Sequence, residues 1–170
     1  MDSRMVKRLA VLLVALMVSG CAQSATQTGA PSKAKIGAAA PSFDEPTVNG
    51  PNLTMASLTG KPVYLNFFAT WCPPCNEEAP DVNAVQAEFK TQGLQVVGID
   101  VLENTKKAEQ FVSQHHLNYP AVVDTGALRD AYNINGMPVH VFIDRTGVVK
   151  KIEIGELSKA QMIADVKEVL

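Results

Sequence analysis

Downstream of residue 41 the apolar positions change rhythm several times. The run over 63–68, Val63-Tyr64-Leu65-Asn66-Phe67-Phe68, is apolar nearly throughout, which predicts a strand buried on both faces. Val82, Val85 and Phe89 then recur at helical spacing, and Gly93 stands where that helix should end before a β-rich stretch over 94–101. These three segments read as one βαβ unit. A second helix is predicted over 105–117, with Ala108, Phe111 and Val112 on one face, followed by a short strand at 121–123 and one or two helical turns at 127–132. The segments 139–143 and 148–154 flank Asp144-Arg145-Thr146-Gly147, a polar turn ending in glycine, and so read as an antiparallel hairpin. Asn49-Gly50 marks another turn between two weaker strands. Ser158 is placed to cap a last helix whose apolar stripe is Met162, Ile163, Val166, Val169 and Leu170. Alternation of this kind is the pattern of an α/β domain.

The first forty residues follow different rules. Arg4, Lys7 and Arg8 precede an apolar run over 9–18, too short for a hydrocarbon core that needs roughly 20 residues but suited to a secretory signal. Val18-Ser19-Gly20-Cys21 resembles the lipobox of bacterial lipoproteins, which implies cleavage after residue 20 and a diacylglyceryl thioether on Cys21. The alternative is an ordinary signal peptide cut after a small residue such as Ala25, with Cys21 discarded. Either route places the domain outside the cytoplasm. Residues 22–40 are small and polar with Ile36 as the one large aliphatic, a composition expected to bury nothing and to act as a tether. The expected organisation is therefore a signal peptide at 1–20, a lipidated cysteine and tether at 21–40, and a folded domain at 41–170.

Composition narrows the functional classes. A chain of 170 residues with 46% apolar and 19% charged residues can build one core. A formal charge of -2 offers no basic face for nucleic acid. Removal of residues 1–20 takes away three cations and one anion, so attachment to a membrane would rest on the acyl group rather than on charge.

The chemistry is concentrated at Cys72-Pro73-Pro74-Cys75, just after the buried strand and at the start of a helix. Cysteines three apart in a first helical turn share a face and lie within disulfide reach. The two prolines suit that turn, where a missing N–H is no loss. The unpaired N–H groups of the helix start favour an anion and lower the pKa of a thiol held there. Cys72 is thus the expected nucleophile and Cys75 the resolving thiol. A purely structural disulfide is the plainer alternative, but a bridge over three positions constrains little of the unfolded chain. A metal site is the other, since paired cysteines with a distant histidine such as His140 can carry copper. His115, His116 and His140 are otherwise expected to be solvated or packed.

From Ala40 onward the chain resembles the TlpA/ResA-like branch of the thioredoxin superfamily. The residues carrying the resemblance are Leu58-Thr59-Gly60-Lys61, Asn66 to Cys75 including Trp71, Glu77-Glu78-Ala79-Pro80, and Gly136-Met137-Pro138. It implies a central mixed sheet flanked by helices, with an N-terminal β-hairpin and an inserted βα unit around 94–117. Asn66 stands where thioredoxin carries a buried aspartate, and Glu78 matches the acidic residue held near the cysteine pair, so Glu78 is the expected proton acceptor or pKa tuner. An exposed helix glutamate is the alternative for Glu78; Glu77 should be solvated. Pro80 is expected to interrupt and kink the helix. Pro138 matches the superfamily's cis-proline, and the Met137 backbone beside Cys72 would pair with an extended substrate, with Trp71, Pro73 and Pro74 completing the substrate-binding surface.

The resemblance implies dithiol–disulfide exchange with extracytoplasmic protein partners, with this protein as the reductant. It also implies recharging by a membrane thiol reductase of the DsbD or CcdA type, with apocytochrome c as the leading substrate and no bound cofactor. General repair of extracytoplasmic disulfides fits the same residues. Two rivals stay open: a thiol peroxidase, whose P-x-x-x-T-x-x-C pattern is not met because Leu65 and Ala69 hold its required positions, and a copper chaperone using Cys72, Cys75 and His140.

Overall fold

A computed structural model describes residues 33–170, so the expected signal peptide, Cys21 and most of the expected tether lie outside the described residues. The domain is built on a five-stranded sheet of order β5-β4-β3-β6-β7. After a two-residue hairpin of β1 (Asp44–Glu45) and β2 (Leu53–Thr54) the chain enters β3 (Val63–Phe68), whose six residues are all buried. Helix α1 (Pro73–Phe89) crosses to β4 (Gln95–Val101), and α2 (Thr105–Gln114) leads to β5 (Ala121–Asp124). The short α3 (Ala127–Ala131) precedes β6 (Val139–Ile143), β7 (Val149–Ile154) and the closing helix α4 (Lys159–Lys167). β3 pairs parallel with β4, and β4 with β5, whereas β3–β6 and β6–β7 are antiparallel. The expected mixed sheet with flanking helices and an N-terminal hairpin is therefore present.

The period-2 geometry of strands divides the core in two. One face carries Leu65, Phe67, Val97, Ile99, Val139 and Val141, packed with Phe43, Leu128 and Tyr132. The opposite face carries Tyr64, Val96 and Phe142 against α1 and α4, through Val82, Val85, Phe89, Met162 and Val166. Among the described residues no helix is long and apolar enough to cross a membrane.

Local signals act as the sequence predicts at several ends. Ser158 caps α4 by accepting from the Gln161 N–H, and Gln161 reaches back to the Ser158 backbone, a reciprocal capping box. Gly93, with φ of 93°, closes the short 3-10 turn Lys90–Gln92 that prolongs α1. Asp144 accepts from the N–H groups of Thr146 and Val148 in the turn before β7.

Three expectations change. The tether reading fails from residue 34 onward: the Ala34 N–H donates to the Ala131 carbonyl, Gly37 to Val149 and Ala40 to Gly147, and Ala39 bridges Val148. Ala34 and Ala40 pack on the core, so small side chains and backbone hydrogen bonds dock a segment whose composition looks solvated. Pro80 lies inside α1 without interrupting it, and the helix runs 17 residues as one element. Helix α2 ends at Gln114, three residues short, because His116 takes a φ of 50° and turns the chain towards β5.

Candidate active site

β3 delivers the chain to the sheet's carboxyl edge, and the loop 69–72 turns it into α1. Cys72 is the N-cap of that helix, with Pro73 and Pro74 in the first turn. Its Sγ accepts from the Cys75 N–H at 3.3 Å, one of the donors left unpaired at a helix start. Cys72 and Cys75 form a disulfide with Cα atoms 5.3 Å apart. Both are 2% exposed and pack with Phe68, Ala69, Ala79 and Phe111. Trp71 beside them is 68% exposed. The arrangement is a redox-active bond at the positive end of a helix, with an aromatic projecting next to it.

Met137 packs against the same cluster, and the Met137–Pro138 peptide is cis. Between this segment and Trp71 runs a groove of about 220 Å³ lined by Val101, Leu102, Arg129, Ile134 and Met137. Leu102 was not singled out from the sequence. It holds a φ of 58°, uncommon for a residue with a Cβ, and leaves its side chain 56% exposed in the groove.

Behind the disulfide, α1 turns Glu78 inward, where it is buried. The Asn66 amide donates to Glu78 Oε1 at 3.1 Å, and the Leu157 N–H donates to Oε2 at 3.4 Å. Burial outweighs these two bonds and pushes the Glu78 carboxyl up to about 7. His140 Nε2 lies 3.5 Å from the same carboxyl but also 3.1 Å from the Gly155 carbonyl, which can only accept. Nε2 therefore carries the hydrogen, leaving Nδ1 to accept from the Tyr64 hydroxyl at 2.7 Å. Desolvation lowers His140 to about 4, so the ring is neutral beside Glu78. Glu77 is exposed, as expected.

Of the three histidines, His115 is not a bystander. Its Nε2 lies 2.8 Å from Asn76 Oδ1 and its ring packs on Phe111. Asn76 in turn donates to the carbonyls of Thr70 and Cys72, at 3.0 and 2.8 Å. Among the described residues no group of three His, Cys, Asp or Glu side chains could hold a metal ion, and Cys72, Cys75 and His140 do not form one. The positions that a thiol peroxidase would need are held by buried Leu65 and Ala69.

Comparison with known proteins agrees with this geometry. Residues 36–152 match the model of the AhpC/TSA family. The thiol-disulfide oxidoreductase ResA of Bacillus thuringiensis (strain Al Hakam) is 33% identical over 138 residues, covering 81% of this chain and 80% of its own. A thiol:disulfide interchange protein of the thioredoxin family from Chlorobium tepidum TLS superposes with a TM-score of 0.72 at 36% identity, covering 83% of this chain and 97% of its own. A secreted Mycobacterium tuberculosis disulfide oxidoreductase, described as homologous to E. coli DsbE, gives 0.68 at 30% identity over 74% of this chain and 95% of its own. This chain belongs to the AhpC/TSA family and is a thioredoxin-like thiol-disulfide oxidoreductase of the ResA type.

Proposed function

We propose that Cys72 attacks protein disulfides outside the cytoplasm and that the net task is reduction. The observation that carries this reading is the Cys72–Cys75 bond at the start of α1, with the Cys75 N–H already aimed at Cys72 Sγ. In the reduced protein the same N–H and the helix dipole favour the Cys72 thiolate. That thiolate attacks one sulfur of the substrate disulfide, forming a mixed disulfide and expelling the first substrate thiolate, which takes up a proton. Cys75 gives its proton to Glu78, a carboxyl held near neutrality by burial, and attacks Cys72 Sγ. The second substrate thiol leaves, two electrons have passed to the substrate, and the protein is left with its own disulfide.

The substrate lies as an extended strand along Met137 and Pro138, over Trp71, Pro73 and Pro74. The groove from Trp71 to Leu102 extends that surface with apolar side chains. The protein is exported and anchored to the outer face of a bacterial membrane through Cys21. A membrane thiol reductase of the DsbD or CcdA type returns it to the dithiol. Apocytochrome c with an oxidised haem-binding pair is the leading substrate. Cys75→Ser should accumulate mixed disulfides through Cys72 in an envelope extract, and Cys72→Ser should accumulate none. Absence of any Cys72-linked complex in Cys75→Ser would overturn the proposal.

A further inference from the structure

A second buried carboxyl lies on the strand beside Phe68, which itself packs with the cysteine pair. Asp100 sits on β4 in register with Phe68 of β3 and Val123 of β5, and is fully buried. Neither of its oxygens meets an N–H or O–H donor from a neutral or cationic group. Its polar neighbour is the Glu103 carboxyl, and two carboxyl groups can hydrogen-bond only with a proton between them. Glu103 is already committed elsewhere: it accepts from the Thr70 N–H, and from the Thr70 hydroxyl at 2.7 Å. Thr70 begins the approach to Cys72, and its carbonyl is held from the other side by Asn76. An ionised, unpartnered Asp100 would cost several kcal/mol in such surroundings.

We propose that Asp100 and Glu103 are positioning residues for the exchange reaction, sharing one proton that Asp100 donates to Glu103, so that the Glu103 carboxylate holds Thr70 and, through it, the loop ending in Cys72. Burial, and next the neighbouring Glu103, raise Asp100 to about 8. Other elements put little charge against the pair. β3 offers Phe68 and β5 offers Val123; Asp124 gives its oxygens to the N–H groups of Gly126, Leu128 and Arg129. From α2, Lys106 and Lys107 line the open groove beside Thr70. Loss of the shared proton sets two carboxylates side by side, drives Glu103 from Thr70, and adds negative charge on the Cys72 side, which opposes its thiolate.

The inference rests on Cys72 being the attacking thiol, and the test separates the two ideas. In the first arm, carboxyl 13C NMR follows Asp100 in the intact wild-type protein. A midpoint in the mildly alkaline range supports the pair; a midpoint near the ordinary aspartate value of about 4 overturns it, whatever Cys72 does. In the second, alkylation of the reduced protein is followed against pH. Wild type should show a step from the pair superimposed on the thiol's own ionisation. Asp100→Asn keeps a donor for Glu103 but has no proton to lose, so that step should vanish while exchange near neutral pH stays within about twofold of wild type. Glu103→Gln leaves Thr70 a single acceptor oxygen, carries no charge and must turn an NH2 group towards the Thr70 hydroxyl or Asp100, and exchange near neutral pH should fall roughly tenfold through misplacement of the loop. An Asp100→Asn profile that superimposes on wild type, or an unchanged rate and profile in Glu103→Gln, would overturn the proposal. Prior alkylation of Cys75 would instead defeat the assignment of the nucleophile while leaving the Asp100 titration informative.

Discussion

The two faces of the central sheet bury side chains of opposite character. One is hydrocarbon across β3, β4 and β6, with Leu65, Phe67, Val97, Ile99, Val139 and Val141 in contact; its buried acid, Asp124, is spent on capping α3. The other, which α1 covers, carries Asn66, Asp100 and His140 on the strands and Glu78 on the helix. Burial fractions are similar on the two faces, but the energetics are not. Apolar burial contributes stability directly, whereas each buried polar group costs free energy unless it finds a partner. The polar groups lie on the face that α1 covers, where burial raises two carboxyls, Glu78 and Asp100. The stability given up on one face is recovered on the other.

The strongest challenge to this division is Phe67→Ala on the apolar face. It should cost about 3–5 kcal/mol in denaturant unfolding and leave the reduction potential unmoved; a large shift in potential would show that the faces are not separate. Next is Asn66→Ala, which takes a donor from Glu78. Stability should fall by about 1–3 kcal/mol, and the Glu78 midpoint, followed by NMR, should rise further above its present value of about 7. A smaller effect is the pH dependence that Glu78 imposes. Its carboxyl ionises at a lower pH in the unfolded chain than in the fold, so its cost grows as pH rises from about 4.5 to about 7 and is constant above. Glu78→Gln removes the group that ionises and should flatten that slope, with the gain above neutrality held to the order of 1 kcal/mol because Gln has one acceptor oxygen for the two donors, Asn66 and Leu157. Asp100 acts with the same sign over a window reaching about 8. The smallest change in stability is expected for Trp71→Ala, within about 0.5 kcal/mol for so exposed a side chain. Its exchange with a protein substrate should nevertheless slow through a higher KM, since Trp71 borders the groove.

The difference between the faces also explains what could be read in advance. The apolar face and the helix ends are local patterns: the run over 63–68, the Cys72–Cys75 spacing at a helix start and the Ser158 cap each lie within a few residues. Glu78 was legible because it stands one turn beyond Cys75. Thr70 and Glu103 are 33 apart, and Asn76 and His115 are 39 apart, so only the folded chain joins them. One signal was there to find: an aspartate among the otherwise apolar residues 96–101 of β4 demands either a partner or a retained proton. Residues 34–40 escaped because their docking uses backbone groups, which composition does not record.

The most direct test of the central claim is the reduction potential of the Cys72–Cys75 pair, followed through the fluorescence of Trp71, the chain's single tryptophan. A reductant requires a value near or below about -270 mV, that of thioredoxin. A value near about -120 mV, that of DsbA, would make the protein an oxidant and contradict the proposed direction of electron flow.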